Sequence, residues 1–332
     1  MSEPLKASVA PNPWLTASGW RLLFRDRPII PLVFLLGLLI VISGLVRPGL
    51  INANQGAVII RAAVPLAILA FCQTLTMLTG GIDLSVGAVA SASGFLVATL
   101  VGDQGLVLAI VIALLAAAVV GLVTGIGVGV FRVHPLIMTL AMALVVLGLA
   151  NVWQIETVQT GAGIPGEFRT LGNSFVATYV PYNLAVFVPL ALILLLGLRR
   201  TGYGRLLYAI GDNPIAARLS GARAWQVLVV LYVISAVLAA IAGFLIAGLN
   251  NTASVTLADS FLLPSVAAAV IGGTSILGGR GGIGGTIVGA LILTVITALL
   301  NSLGYQAAVT QILFGLIIVA VAAAYTRVTA ES

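Results

Sequence analysis

Long apolar runs follow one another along almost the whole chain, and they leave it few folds to choose from. Only 7% of its 332 residues are charged and 61% are hydrophobic, whereas soluble domains carry about a quarter charged residues. Lipid offers backbone groups no hydrogen-bonding partner, so runs of this length span as α-helices. The expected fold is therefore an all-α polytopic membrane protein. The runs cover about ten spans, 29–46, 56–79, 84–101, 106–131, 136–152, 183–198, 227–249, 262–277, 283–303 and 307–324, about the length a bilayer requires. This frames a tail over 1–28, a membrane domain over 29–325 with a basic loop at 199–225, and a tail over 326–332. Arg21, Arg25 and Arg27 precede the first span, and Arg199, Arg200, Arg205, Arg218 and Arg223 crowd the basic loop. The stretch 153–182 instead carries Glu156 and Glu167. The positive-inside tendency then puts both termini and the basic loop in the cytoplasm. The net charge of +6 is assigned to lipid-facing cytoplasmic loops rather than to nucleic acid.

The second and third spans are separated by Thr79-Gly80-Gly81-Ile82-Asp83-Leu84-Ser85-Val86-Gly87. A carboxylate at this depth is costly and marks a functional site by default. Asp83 has a second reading as the N-cap of a helix starting at Leu84. Pro65 is expected to kink span two, and Arg61 to snorkel to the interface. Gly121, Gly125 and Gly129 repeat at spacings of four and support close helix packing. Within the basic loop, Asn213 can cap, Pro214 fits the first helical position and Gly221 fits the stop, which predicts a short helix outside the membrane. That helix is either an interfacial connector or a docking element for a cytoplasmic partner. One histidine, His134, one cysteine, Cys72, and scattered acids supply no histidine-based metal site, no intramolecular disulfide and no convergent catalytic constellation. The expectation is a chain with no catalytic residues and no metal.

Three blocks carry a family resemblance. TGGIDLSVGAV at 79–89, YAIGDNPIAARLSGA at 208–222 and VIGGTSILGGRGGIGGTIVGA at 270–290 resemble, in order, the signature, coupling segment and glycine-rich block of the ribose-type sugar permeases of ATP-binding cassette importers. The galactofuranose and autoinducer-2 permeases look similar, and branched-chain amino acid permeases are more distant relatives. The resemblance implies a bacterial inner-membrane permease subunit for a monosaccharide or related small polar solute, with a fold like that of the vitamin B12-type (type II) importers. It implies as partners a cytoplasmic ATPase that holds ATP and Mg, a second copy of this permease or a homologue, an extracytoplasmic (periplasmic) solute-binding protein and membrane lipid. The sequence has no G-x-x-x-x-G-K-[ST] loop of its own. On this reading Gly211, Asp212, Asn213, Pro214, Ala217, Arg218 and Gly221 couple to the ATPase. Gly80, Gly81, Asp83, Ser85, Gly87, Gly272, Gly273, Gly278 and Gly279 form gates or hinges. Gln73, Thr74, Thr76, Thr139 and Asn151 are candidates for the solute path, although Thr in a membrane helix commonly bonds its own backbone. The alternative from another class is an ion-coupled secondary transporter, resting on Asp83.

Overall fold

The computed structural model describes residues 29–50, 52–157 and 163–330, with side chains up to residue 320. The predicted tail over 1–28, with its three arginines, and residues 331–332 lie outside the described residues. The helices over the apolar runs are α1 (Ile29–Val46), α2 (Ala53–Leu78), α3 (Val86–Gln104), α4 (Leu106–Gly129), α5 (Pro135–Thr157), α7 (Leu184–Arg200), α10 (Ala224–Asn250), α11 (Leu262–Ile271), α12 (Ile283–Ser302) and α13 (Ala307–Ala330). Between them lie α6 (Gly166–Asn173), α8 (Gly202–Asp212) and α9 (Pro214–Leu219). A two-stranded antiparallel hairpin, β1 (Phe175–Val176) with β2 (Val180–Pro181), follows α6.

Each apolar run carries a helix, as lipid demands. Among the described residues, seven helices are long and apolar enough to cross a membrane, or eight if α7 and α8, bent by 69°, count as one. The run at 262–277 is the clearest departure. Its helix α11 has only ten residues, about 15 Å at 1.5 Å per residue, and stops at Gly272. The C-terminal tail expected from 326 instead continues α13 through Ala330.

α2 and α10 are the core. α10 packs against α2, α3, α4 and α6, and α2 is buried from Ala63 to Leu78. The glycine stripe of α4 is what lets α10 approach. A Cβ built on Gly125 would come 2.6 Å from Val229 Cα, and one on Gly129 would come 2.9 Å from the Trp225 carbonyl oxygen. The spacing-of-four glycines therefore make a seam within the chain. α1, α4, α5 and α7 present exposed Phe34, Leu115, Leu144 and Ile193, the apolar exterior expected toward lipid.

At one end of the bundle, α6 is set on α10. Phe168 stacks on Phe244 with centroids 5.2 Å apart, and the Asn173 side chain donates to the Gly248 carbonyl at 2.7 Å. Pro65 explains a neighbouring contact. Having no N–H, it leaves the Arg61 carbonyl four residues earlier without its helical donor, and the Asn183 amide fills that role at 2.8 Å. Arg61 does not snorkel freely: it donates to the Asn173 carbonyl at 2.9 Å and lies over the Phe175 ring. The opposite end carries α8 and α9, with Arg132, Arg218 and Arg223 around one cleft and Arg199 and Arg280 around another.

Candidate functional site

The break between α2 and α3 is built by side chains that replace the missing helical hydrogen bonds. The Gln73 amide donates to the Asp83 carbonyl at 2.8 Å and accepts from the Asp83 N–H at 3.2 Å, pairing with both main-chain groups at once. Thr139 of α5 donates to the Ile82 carbonyl at 3.2 Å. The Asp83 carboxylate, itself buried, accepts three bonds: from the Ser85 N–H at 3.0 Å, the Ser85 hydroxyl at 2.6 Å and the Ser235 hydroxyl of α10 at 2.8 Å. Gly81 fits between Pro135 and the Tyr232 hydroxyl, each 3.1 Å from where its Cβ would be. α2, α5 and α10 thus each hold one point of the loop.

The second glycine segment, after α11, meets the first. Gly279 donates its N–H to the Leu78 carbonyl at 3.0 Å. A Cβ on Gly278 would lie 2.8 Å from the Gly211 carbonyl oxygen and 3.1 Å from the Gly80 nitrogen. A Cβ on Gly211 would overlap the Leu78 carbonyl oxygen and stand 2.6 Å from the Gly279 nitrogen. Three backbones far apart in sequence therefore touch directly, and a side chain at Gly211 or Gly278 would separate them. Gly80 turns at φ +77° and Gly279 at φ +72°, left-handed conformations that glycine adopts without steric cost. α8 holds the junction from the side, its Tyr208 hydroxyl donating to the Gly281 carbonyl at 2.9 Å.

α9 follows this junction with no spacer but Asn213. The Asn213 side chain accepts from the N–H groups of Ile215 and Ala216 at 3.1 and 2.9 Å, Pro214 opens the helix, and Gly221 ends it at φ +87°. Ala217 is buried, while Arg218 is exposed and Ile215 and Leu219 are 70% and 85% exposed. Two bare aliphatic side chains thus flank an arginine outside the apolar spans. Beside it lies a cavity of about 540 Å³ bordered by Arg132, Pro135, Arg218, Arg223 and Trp225.

Several sequence expectations need correction. Asp83 is not the N-cap: α3 begins at Val86, with Ser85 in the cap position, and the carboxylate closes a turn just before it. Gly211 and Asp212 belong to the end of α8, not to α9. Gly87 lies away from the junction, against the Ala258 carbonyl 3.5 Å from its would-be Cβ, and Gly272 packs on Gly285 and Thr286 of α12. Gly273, at φ +87°, follows it in the turn after α11. The proposed path residues mostly bond within the protein. Gln73, Thr74, Thr76 and Thr139 have no exposed surface. Thr74 bonds the Ala70 carbonyl at 2.9 Å and the Thr286 hydroxyl at 2.6 Å, and Thr76 bonds the Cys72 carbonyl at 3.0 Å. Asn151 is exposed on α5 and donates to its own helix at Leu147.

Sequence reasoning missed α6, α8 and the path of the chain after α10. The signal for α8 is Thr201, whose hydroxyl accepts from the Gly204 N–H at 3.2 Å as an N-cap. Residues 251–260, between the expected spans 227–249 and 262–277, descend beside α3. Val255 packs with Phe95 and Ala150, and lower down the Ala258 N–H donates to the Ser91 hydroxyl at 2.8 Å. The segment leads directly into α11, which at ten residues is too short to cross a bilayer by itself.

Over residues 57–322 the chain matches the family described as branched-chain amino acid transport system / permease component. It is 35% identical over 282 residues to the ribose import permease RbsC of Bacillus subtilis, covering 85% of this chain and 87% of that protein. It is 36% identical over 282 residues to the RbsC protein of Escherichia coli K12, covering 82% of this chain and 85% of that protein. It is 31% identical over 301 residues to the fructose import permease FrcC of Rhizobium meliloti, covering 87% and 82%. No solved structure matches.

Proposed function

This chain belongs to the family of branched-chain amino acid transport system permease components, and from that membership we propose that it is the membrane subunit of an ATP-binding cassette importer for a monosaccharide or related small polar solute. The relatives named as ribose and fructose import permeases support the solute class. The observation that carries the mechanism is the direct backbone contact of Gly211 with Leu78 and Gly279, one residue pair ahead of the exposed helix α9. Partner ATPases holding ATP and Mg grip α9 from the cytoplasm. Their closure moves α9 and α8 together, and the glycine junction passes that movement to the end of α2 and to the turn between α11 and α12. A ligand-driven shift of this kind requires α9 to bind its partner differently in two states.

In the same reading the α9 end faces the cytoplasm of a bacterial inner membrane, because basic residues gather there. Both termini lie on that side, about ten spans cross in a vitamin B12-type arrangement, a second permease copy or homologue completes the path, and an extracytoplasmic binding protein delivers the solute. The ion-coupled alternative loses its motive, since Asp83 is buried and its carboxylate is engaged by three donors.

Reconstitution with the ATPase and binding protein tests the proposal. Uptake should need ATP and stop with vanadate, and the purified chain alone should not concentrate solute on an ion gradient. Arg218→Glu should abolish copurification of the ATPase while leaving the amount of membrane-inserted permease unchanged. Normal copurification and uptake in that variant would remove α9 from the coupling role.

A further inference from the structure

The descending segment between α10 and α11 carries polar groups that the junction does not use. Its depth follows from its neighbours. Val255 lies with Phe95, Ala258 bonds Ser91, and the Ala258 carbonyl and Asp259 Cα border Gly87. From Phe95 to Gly87 along α3 is about 12 Å. α10 touches the same stretch of α3 at Gly243, against Ala90 and Gly94, about 10 Å below its own end at Asn250. Asp259 therefore sits near the middle of the bundle rather than at its rim.

One edge of the segment is packed and the other is open. Val255 and Ala258 are buried, whereas Thr256, Asp259, Ser260 and Leu263 are exposed. Ser254 and Thr256 hydroxyls pair with each other at 3.2 Å. The Asp259 carboxylate and the Ser260 hydroxyl have no hydrogen-bond partner among the described residues. Non-helical backbone at membrane depth persists only where protein buries it or where it borders water, and an ionisable residue at that depth faces the interior of the assembly or a water-filled cavity rather than lipid.

We propose that the Thr256–Asp259–Ser260 edge lines the aqueous route through the membrane, and that Asp259 accepts hydrogen bonds from the hydroxyls of a neutral polyhydroxylated solute as it passes. This rests on the importer reading above. An ionised carboxylate is an acceptor only, and the bonds it takes from neighbouring hydroxyls are stronger than neutral ones. Ser260 offers a further donor and acceptor beside it.

The test uses the full chain in membranes with its ATPase. Cys72 has no exposed surface and stays in place as a silent background. Ser260→Cys should react with a membrane-impermeant methanethiosulfonate at least about tenfold faster than Leu144→Cys, whose side chain is on the exposed apolar face of α5. A panel of pentoses, hexoses and polyols, ribose and fructose included, should contain a member that slows labelling of Ser260→Cys. Asp259→Asn should weaken that protection about tenfold, with each variant's rate in the presence of solute compared with its own rate without it, as expected for a lost charge-assisted bond. Labelling of Ser260→Cys no faster than of Leu144→Cys overturns the route. Labelling without protection by any member of the panel, or protection unaffected by Asp259→Asn, overturns the solute contact. Uphill transport by the isolated chain on an ion gradient would bring down the importer reading instead, and would leave the labelling result standing.

Discussion

Two interruptions of the helical bundle, each with one aspartate, follow opposite rules. At 79–85 the loop is closed in: Gln73 pairs with both main-chain groups of Asp83, and the carboxylate takes bonds from Ser85 and Ser235. At 251–261 only the backbone side is fastened, through Ser91, and Asp259 is left exposed. A buried carboxylate with all its donors supplied stabilises a shape. An exposed one with no partner among the described residues does not. Charge in a membrane chain is thus read by its surroundings rather than by its presence.

Replacing Asp83 should give the largest effect. Asp83→Ala leaves the Ser235 hydroxyl and the Ser85 donors unpaired in a dry site, costing about 2–4 kcal/mol, and thermal unfolding in detergent should show a much lower midpoint. An unchanged midpoint would erase the distinction between the two loops. Gln73→Leu should follow at about 2 kcal/mol, since it strips the partner from both main-chain groups of Asp83 without opening a large cavity. The same unfolding assay reads it, and an effect confined to uptake would restore Gln73 to the solute path. Ser91→Ala removes only the acceptor of the Ala258 N–H and should cost about 1 kcal/mol. Limited proteolysis between α10 and α11 should then quicken, and unaltered cleavage would show that the descending segment needs no such fastening. Asp259→Ala should move stability by no more than about 0.5 kcal/mol. A fall as large as that of Asp83→Ala would make Asp259 a structural group like its counterpart.

Much of the α9 end was legible in residues. Asn213, Pro214 and Gly221 define a helix by capping and backbone preference, both of which act within one turn. The glycine spacing on α4 signalled close packing, though not that α10 is the partner. The partners of the polar residues in α2 were not legible in the sequence for a plain reason. A glutamine or threonine in an apolar run must find a partner, but the run does not say whether that partner is a solute or a loop ten residues on. The half-length of α11 was equally hidden, because an apolar stretch continuing to 277 looks the same whether it crosses the membrane or only its lower half.

The sequence by itself determined that this chain lives in lipid, where its apolar helices begin to within a few residues, and that a capped short helix projects among its arginines. Those are consequences of solvent preference and of backbone chemistry between neighbours in the chain. Only the tertiary structure decided that residues near 80, 211 and 278 meet backbone to backbone, that Asp83 is enclosed and that Asp259 is open. Depth, facing and enclosure are set by which helices pack together, and that choice depends on contacts between residues far apart in the sequence.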